Sequence, residues 1–342
     1  MKSIGSIAGA GFRPSRSGSV VTGIVLALAL TAAQAVHAQQ SGAGGTPDTV
    51  RLAIGYIPNV QFTPLYVGMD KGFYKAAGID LKIEYGFGMD IYSLLLAGKI
   101  DVGLADSDQL IIAGSKGMKL AAAFQYYQKY PVAIVAKKSV VTQPSDFVGK
   151  TIGVPDLFGT SYIGLQLFLK QYGLAGKVRI ERIGYTQIPA LLAGKIDGAV
   201  VFVTNEPEKL KQLGVPINEW DVKSFSDLVS SSFITSDAII ASRGDVLDRF
   251  FRATRQAMAY TAAHPDESVS IAMKYITGSD RSQLPFLRNA LLATIDLYSS
   301  QAPYGTLDAA RYTDSIATMQ QLGLIPERYP ADRIMHQLGE GN

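Results

Sequence analysis

Amides, carboxylates and hydroxyls with the chemistry to hold a flat polar ring fall at Asn59, Gln61, Asp90, Asp106, Ser107 and Gln109, and again at Thr160, Ser161, Asn205 and Glu206. Aromatic residues accompany them at Phe62, Tyr66, Tyr126, Tyr127, Phe158 and Tyr185, with Asp108, Phe87 and Tyr162 in the same stretches. Carboxylates and amides hydrogen-bond ring N–H and amino groups, and aromatic faces stack on heterocycles, each good pair adding about 0.5–1.5 kcal/mol beyond area burial. A sulfonate or phosphate site calls for arginine or lysine beside a helix N-terminus. The candidate positions offer neither, so the expected ligand is an uncharged or cationic heteroaromatic solute.

A repeat indicates how these residues are positioned. Leu95-Leu96-Ala97-Gly98-Lys99-Ile100-Asp101 returns unchanged as Leu191-Leu192-Ala193-Gly194-Lys195-Ile196-Asp197. In each copy helical spacing ends at a glycine, where the chain can turn at positive φ, and an apolar strand-like run follows the aspartate. The copies lie too far apart for a solenoid or propeller, whose periods run to about 20–50 residues; duplicated lobes fit. The first strand leads into Ala105-Asp106-Ser107-Asp108-Gln109 and the second into Thr204-Asn205-Glu206-Pro207. Ligands of open α/β sheets bind at such strand carboxyl ends. Asp90, Asp106 and Asp108 also have a plainer role open to them as helix caps.

Strand-like runs at residues 50–56, 81–85 and 120–124 alternate with helical ones, the first helix starting with Thr63 as N-cap and Pro64 at its first position. The run at 131–136 leaves this first lobe. Strands at 151–154, 179–183 and 199–203 build a second lobe, with Gly159-Thr160-Ser161 opening a helix that could face a carbonyl or an anion and Tyr185 starting the helix that carries the second repeat. Ala238-Ile239-Ile240-Ala241 reads as the return strand, followed by helices over 246–263, 266–276 and 306–321. Crossovers near 131–138 and 236–242 divide the chain into a discontinuous first lobe, 49–137 and 238–335, and a continuous second lobe, 138–237. The fold class is α/β, each lobe a mostly parallel sheet flanked by helices, joined by a two-crossover hinge into a clamshell. If residues 126 and 127 are extended, only one of Tyr126 and Tyr127 can face the solute.

Residues 1–38 carry Lys2, Arg13 and Arg16, no acid, an apolar run from Val20 to Leu30 and Val36-His37-Ala38, the pattern of a secretory signal cleaved before Gln39. A Gly/Ser/Gln-rich leader, 39–48, follows. The formal charge of +3 vanishes with the signal, leaving 29 basic residues against 29 acids. No basic track suggests nucleic acid. There is no cysteine. No Gly-x-Ser-x-Gly elbow, zinc helix or dinucleotide fingerprint occurs, and neither a metal nor a cofactor is expected.

From residue 50 to about 328 the chain resembles the periplasmic solute-binding proteins of ABC importers, of the type II two-lobe fold, in the group that includes sulfonate-binding and thiamine-pyrimidine-synthase-like binding proteins. The most specific stretch is Gly55-Tyr56-Ile57-Pro58-Asn59-Val60-Gln61-Phe62-Thr63-Pro64-Leu65-Tyr66-Val67, with Lys71-Gly72-Phe73-Tyr74 and Ala77-Gly78-Ile79 behind it. It is most similar to riboflavin-binding and formylaminopyrimidine-binding members. Pro144-Ser145-Asp146-Phe147-Val148-Gly149-Lys150-Thr151-Ile152-Gly153-Val154 also matches, marking the start of the second lobe. The resemblance implies a periplasmic monomer that delivers a vitamin-type solute, riboflavin or a thiamine pyrimidine precursor, to an ABC permease and its ATPase. Riboflavin is favoured by the loop after the first strand and by Tyr130-Pro131-Val132-Ala133. Sulfonate or taurine binding is the alternative. Pyrimidine synthases share the fold, but the resemblance gives them a cysteine-rich iron-binding stretch and a consumed histidine; this chain has no cysteine, and past the signal only His264 and His336.

Overall fold

The computed structural model describes residues 46–340. The expected signal segment, 1–38, and residues 39–45 of the leader lie outside them. Among the described residues no helix is long and apolar enough to cross a membrane.

The strands are β1 (Asp48–Ile54), β2 (Ile79–Tyr85), β3 (Val102–Asp106), β4 (Leu120–Gln125), β5 (Val132–Lys137), β6 (Thr151–Val154), β7 (Arg179–Arg182), β8 (Gly198–Phe202), β9 (Ile217–Asp221) and β10 (Ser231–Ser236). They form two five-stranded sheets, ordered β2-β1-β3-β10-β4 and β7-β6-β8-β5-β9. In the first, β10 alone runs against its neighbours. In the second, β5 does. Each sheet is therefore mostly parallel, and in each the reversed strand is the one that arrives from the other lobe. Helices cover both sheets, and the cores are apolar runs such as Val132 to Ala136 and Ala199 to Val201, all buried.

Four boundaries differ from expectation. The strand at 132–137 belongs to the second sheet, because its amides and carbonyls pair with β8 and β9. The return strand is Ser231–Ser236, whereas Ala238 to Ala241 lie in the helix Asp237–Ala263, capped by the Ser236 side chain, which accepts the Ile239 N–H. The chain thus changes sheets over 126–131 and 222–230. β10 escapes an apolar-pattern reading because it is rich in hydroxyls, yet every residue of it is buried. Its hydroxyls find partners across the sheet, Ser231 on Asp106 Oδ1 at 2.9 Å and Thr235 on the Asp101 carbonyl at 2.8 Å, which offsets the cost of burying them. β1 begins at Asp48, inside the expected leader, where the Arg249 guanidinium holds the carboxylate at 2.6 Å. At the other end the chain continues past 335, the amides of His336 and Leu338 donating to the carbonyls of Ala122 and Ala123 and covering the free edge of β4. The helix Leu284–Tyr298 was not anticipated; its Asp296 accepts both Lys129 and Lys223, one from each crossover.

The repeat forms what its residues imply. The helices Ile91–Leu96 and Gln187–Leu192 stop at Gly98 and Gly194, with φ of 62° and 69°. Asp101 and Asp197 then precede β3 and β8. The Asp101 carboxylate accepts the amide N–H of Arg51 at 2.8 Å and that of Asp197 accepts the amide N–H of Thr151 at 2.9 Å, so each copy locks onto the neighbouring strand of its own sheet, β1 or β6.

Candidate functional site

A cleft of about 520 Å³ opens between the sheets at their strand carboxyl ends, within the usual range of small-molecule sites. Of the expected contacts, Gln61, Phe62, Asp90, Asp106, Gln109, Tyr126, Tyr127, Phe158, Thr160, Ser161, Tyr185, Asn205 and Glu206 line it. Asn59, Tyr66 and Ser107 do not, each for a packing reason. The Asn59 side chain caps the short 3-10 turn Val60–Phe62 by accepting the Gln61 N–H at 3.1 Å, so the helix Thr63–Asp70 begins without Thr63 as its cap. Tyr66 is buried, its ring stacked on Tyr275 with centroids 4.7 Å apart and its hydroxyl accepting from Tyr85. Ser107 is buried in a hydroxyl network with Ser232 at 2.6 Å and Tyr312 at 3.1 Å.

Both neighbouring tyrosines reach the cleft, against the alternation expected of an extended segment. The backbone is not extended there: the amides of Tyr126 and Tyr127 both donate to the Ser231 carbonyl, at 3.0 Å each, which swings the two rings to one side. Their centroids lie 4.9 Å apart. Tyr126 donates to the Gln61 carbonyl at 2.6 Å and Tyr127 to Gln61 Oε1 at 3.1 Å, so Gln61 and the two rings form one preset wall. In the opposite lobe Phe158 and Tyr185 are 68% and 72% exposed. Phe87, on the first lobe, stands between Tyr56 and Tyr185 at 5.1 and 5.5 Å, an aromatic bridge across the mouth.

The acids divide by environment. Asp90 caps the helix Ile91–Leu96, its carboxylate accepting Ser93 N–H and Oγ–H, and those bonds hold it below the ordinary carboxylate range. Burial pushes Asp106 up despite its bond from Ser231. Asp108, immediately behind, is pushed up to about 7 by burial and then by the charge of Asp106. Its Oδ2 accepts Thr160 Oγ1–H at 2.8 Å and the Tyr130 hydroxyl at 3.2 Å, tying the first lobe to the crossover and to the second-lobe helix Gly159–Gln171. Gly159 makes the approach possible, turning the chain into that helix at a φ of 75°. Burial also raises Glu206, whose Oε2 accepts the Phe202 N–H at 3.1 Å while Oε1 accepts Asn205 Nδ2–H at 3.2 Å.

Sequence reasoning missed Tyr56, Tyr92, Gln187 and Ser231, which line the cleft together with the expected Thr204, and it missed a pair. Arg182, at the end of β7, lines the cleft with its guanidinium 3.1 Å from Asp156 Oδ2. Contrary to the expectation of a lining without arginine or lysine, the cleft therefore holds one cation among its described residues, paired with Asp156. Arg182 ends β7 and Asp156 lies two residues past β6, the same strand-end signal that located Asp106 and Asn205. Among the described residues no group of carboxylates or histidines could hold a metal ion.

Two α/β lobes joined by two crossovers around such a cleft define a periplasmic-binding-protein fold. The periplasmic aliphatic sulphonate binding protein SsuA from Escherichia coli superposes with a TM-score of 0.69 at 14% identity, over 86% of this chain and 94% of that one. The chain belongs to the NMT1/THI5 like family, whose model matches residues 59–268. It is 30% identical to the riboflavin-binding protein RibY of Chloroflexus aurantiacus over 87% of this chain and 86% of that one. It is 22% identical to the formylaminopyrimidine-binding protein of Halalkalibacterium halodurans over 79% and 84% respectively. Both relatives are binding proteins, which matches the kinship read from residues 55–67.

Proposed function

We propose that the protein is the periplasmic solute-binding component of an ABC importer and captures a flat heteroaromatic vitamin-type solute, riboflavin first and a thiamine pyrimidine precursor second. The observation that carries this reading is the composition of the cleft wall: tyrosine and phenylalanine rings from both lobes interleaved with Gln61, Gln109, Asn205 and Glu206, and a lone arginine committed to Asp156. Flat rings stack on such aromatics, and their N–H and carbonyl groups find amides and carboxylates in plane. The names of the two relatives support the same solute class.

In this mechanism the first lobe receives the solute on its preset wall, and the second closes over it with Phe158, Tyr185 and Asn205. Closure about 126–131 and 222–230 is driven by the contacts made only in the closed state. The protein performs no chemistry on its solute; it is exported by its N-terminal segment, acts as a monomer and hands the solute to a permease served by an ATPase.

Adding riboflavin to the purified protein should quench flavin fluorescence saturably. Aminopyrimidines should compete and taurine should not. Binding of taurine with no effect of either heterocycle would replace this reading with a sulfonate binder.

A further inference from the structure

We propose that the cleft takes the free heterocycle and excludes its phosphate monoester, with the Asp156–Arg182 pair as a specificity determinant. The inference rests on the heteroaromatic reading above and names the chemical form captured. Clefts of this architecture can hold oxyanions at helix N-termini, where the first amide N–H groups are unpaired and the helix dipole is positive. Here four of those ends already have a carboxylate of the chain itself beside them. Asp90 caps the helix Ile91–Leu96, and Asp106 stands at the start of the helix Ser107–Ser115. Glu206 opens the helix Glu206–Gln212. At the start of the helix Gly159–Gln171, Thr160 Oγ1 is given to Asp108 of the opposite lobe at 2.8 Å.

The remaining source of positive charge is also spent. Arg182 is the one basic side chain among the described residues that line the cleft. Asp156 Oδ2 holds its guanidinium at 3.1 Å, and the Leu157 N–H fixes the other carboxylate oxygen at 2.8 Å. A phosphate dianion entering this lining meets carboxylates at the helix ends and no cation without a carboxylate partner. The N–H, carbonyl and hydroxyl groups of an uncharged solute meet no such repulsion. A phosphate monoester therefore has to be hydrolysed by a phosphatase-class reaction before this protein can take up its solute.

The test is equilibrium titration of the full mature protein, at low and high salt, with riboflavin and with its phosphate monoester. Wild-type protein should bind riboflavin about 100-fold more tightly than the ester at low salt, with the gap narrowing as salt screens the acids. Asp156→Asn frees Arg182 and should tighten ester binding about tenfold. In the Asp156→Asn, Arg182→Gln double variant that gain should disappear. An ester that binds wild-type protein within threefold of riboflavin, or more tightly, overturns the exclusion while leaving the heteroaromatic reading intact. Ester affinity unchanged by Asp156→Asn in a folded variant overturns the role given to the pair, and the wild-type ratio decides the exclusion even if that variant does not fold. If neither flavin nor any aminopyrimidine binds, the solute class falls and this inference falls with it.

Discussion

The identical repeat is used in the two lobes with the same backbone contact and a different electrostatic setting. Asp101 has a side chain only 2% exposed, and besides the Arg51 amide it holds two guanidinium groups, those of Arg51 at 3.1 Å and of Arg243. Burial alone would raise its carboxyl, yet these bonds hold it below the ordinary range. Asp197 is 31% exposed and has beyond the Thr151 amide only Lys150 at 4.0 Å. The cleft walls differ in parallel fashion. The first lobe presents rings that are also core, Tyr126 and Tyr127, while the second presents Phe158 and Tyr185 largely free. One lobe is built around its half of the site; the other carries its half on the surface. Contacts buried before the solute arrives set stability, and contacts completed by the solute set affinity.

The largest effect should come from Tyr126→Ala, which removes a fully buried ring and its bond to Gln61 and should cost about 3–5 kcal/mol in denaturant unfolding. A loss below about 1 kcal/mol would show that this wall is no part of the core. Next, Asp101→Asn should cost about 2–3 kcal/mol by breaking a buried ion cluster, against about 1 kcal/mol or less for Asp197→Asn. Equal losses from the two would erase the distinction between the repeats.

The interlobe tie at Asp108 is expected to show in the pH dependence of melting. Its carboxyl is raised in the folded state from an ordinary 3.8 to about 7, so the folded state binds its proton more tightly than the unfolded one. Its contribution to stability is full at acid pH and is lost as pH rises through about 7. Asp108→Asn should flatten that slope, and a melting profile identical to wild type would contradict the assignment. The smallest effect is expected from Tyr185→Ala, roughly three- to tenfold in riboflavin affinity with stability within about 0.5 kcal/mol of wild type. A large melting loss with unchanged affinity would place Tyr185 with the core rings instead.

Much of the cleft was legible because strand ends followed by polar residues are local features. Asp106, Asn205 and Glu206 could be found from the repeat, and Phe158 and Tyr185 from the starts of helices. Tyr66 and Ser107 share those local signals and yet face the core, since side-chain direction depends on which neighbour packs against them; Tyr275 and Tyr312 come from distant segments. The paired tyrosines were misjudged because a single distant carbonyl, that of Ser231, collects both their amides.

The sequence by itself determined the alternation of strands and helices, the duplication, the glycine stops and the aspartates that start the two matched strands, all of which rest on local backbone conformation and apolar periodicity. Only the tertiary structure decided which sheet the two exchanged strands join, how a strand rich in serine is buried, and that Arg182 faces the cleft already paired with Asp156. Those outcomes depend on hydrogen bonds and ion pairs between residues far apart in the chain, and hydrophobic periodicity carries no record of such partners.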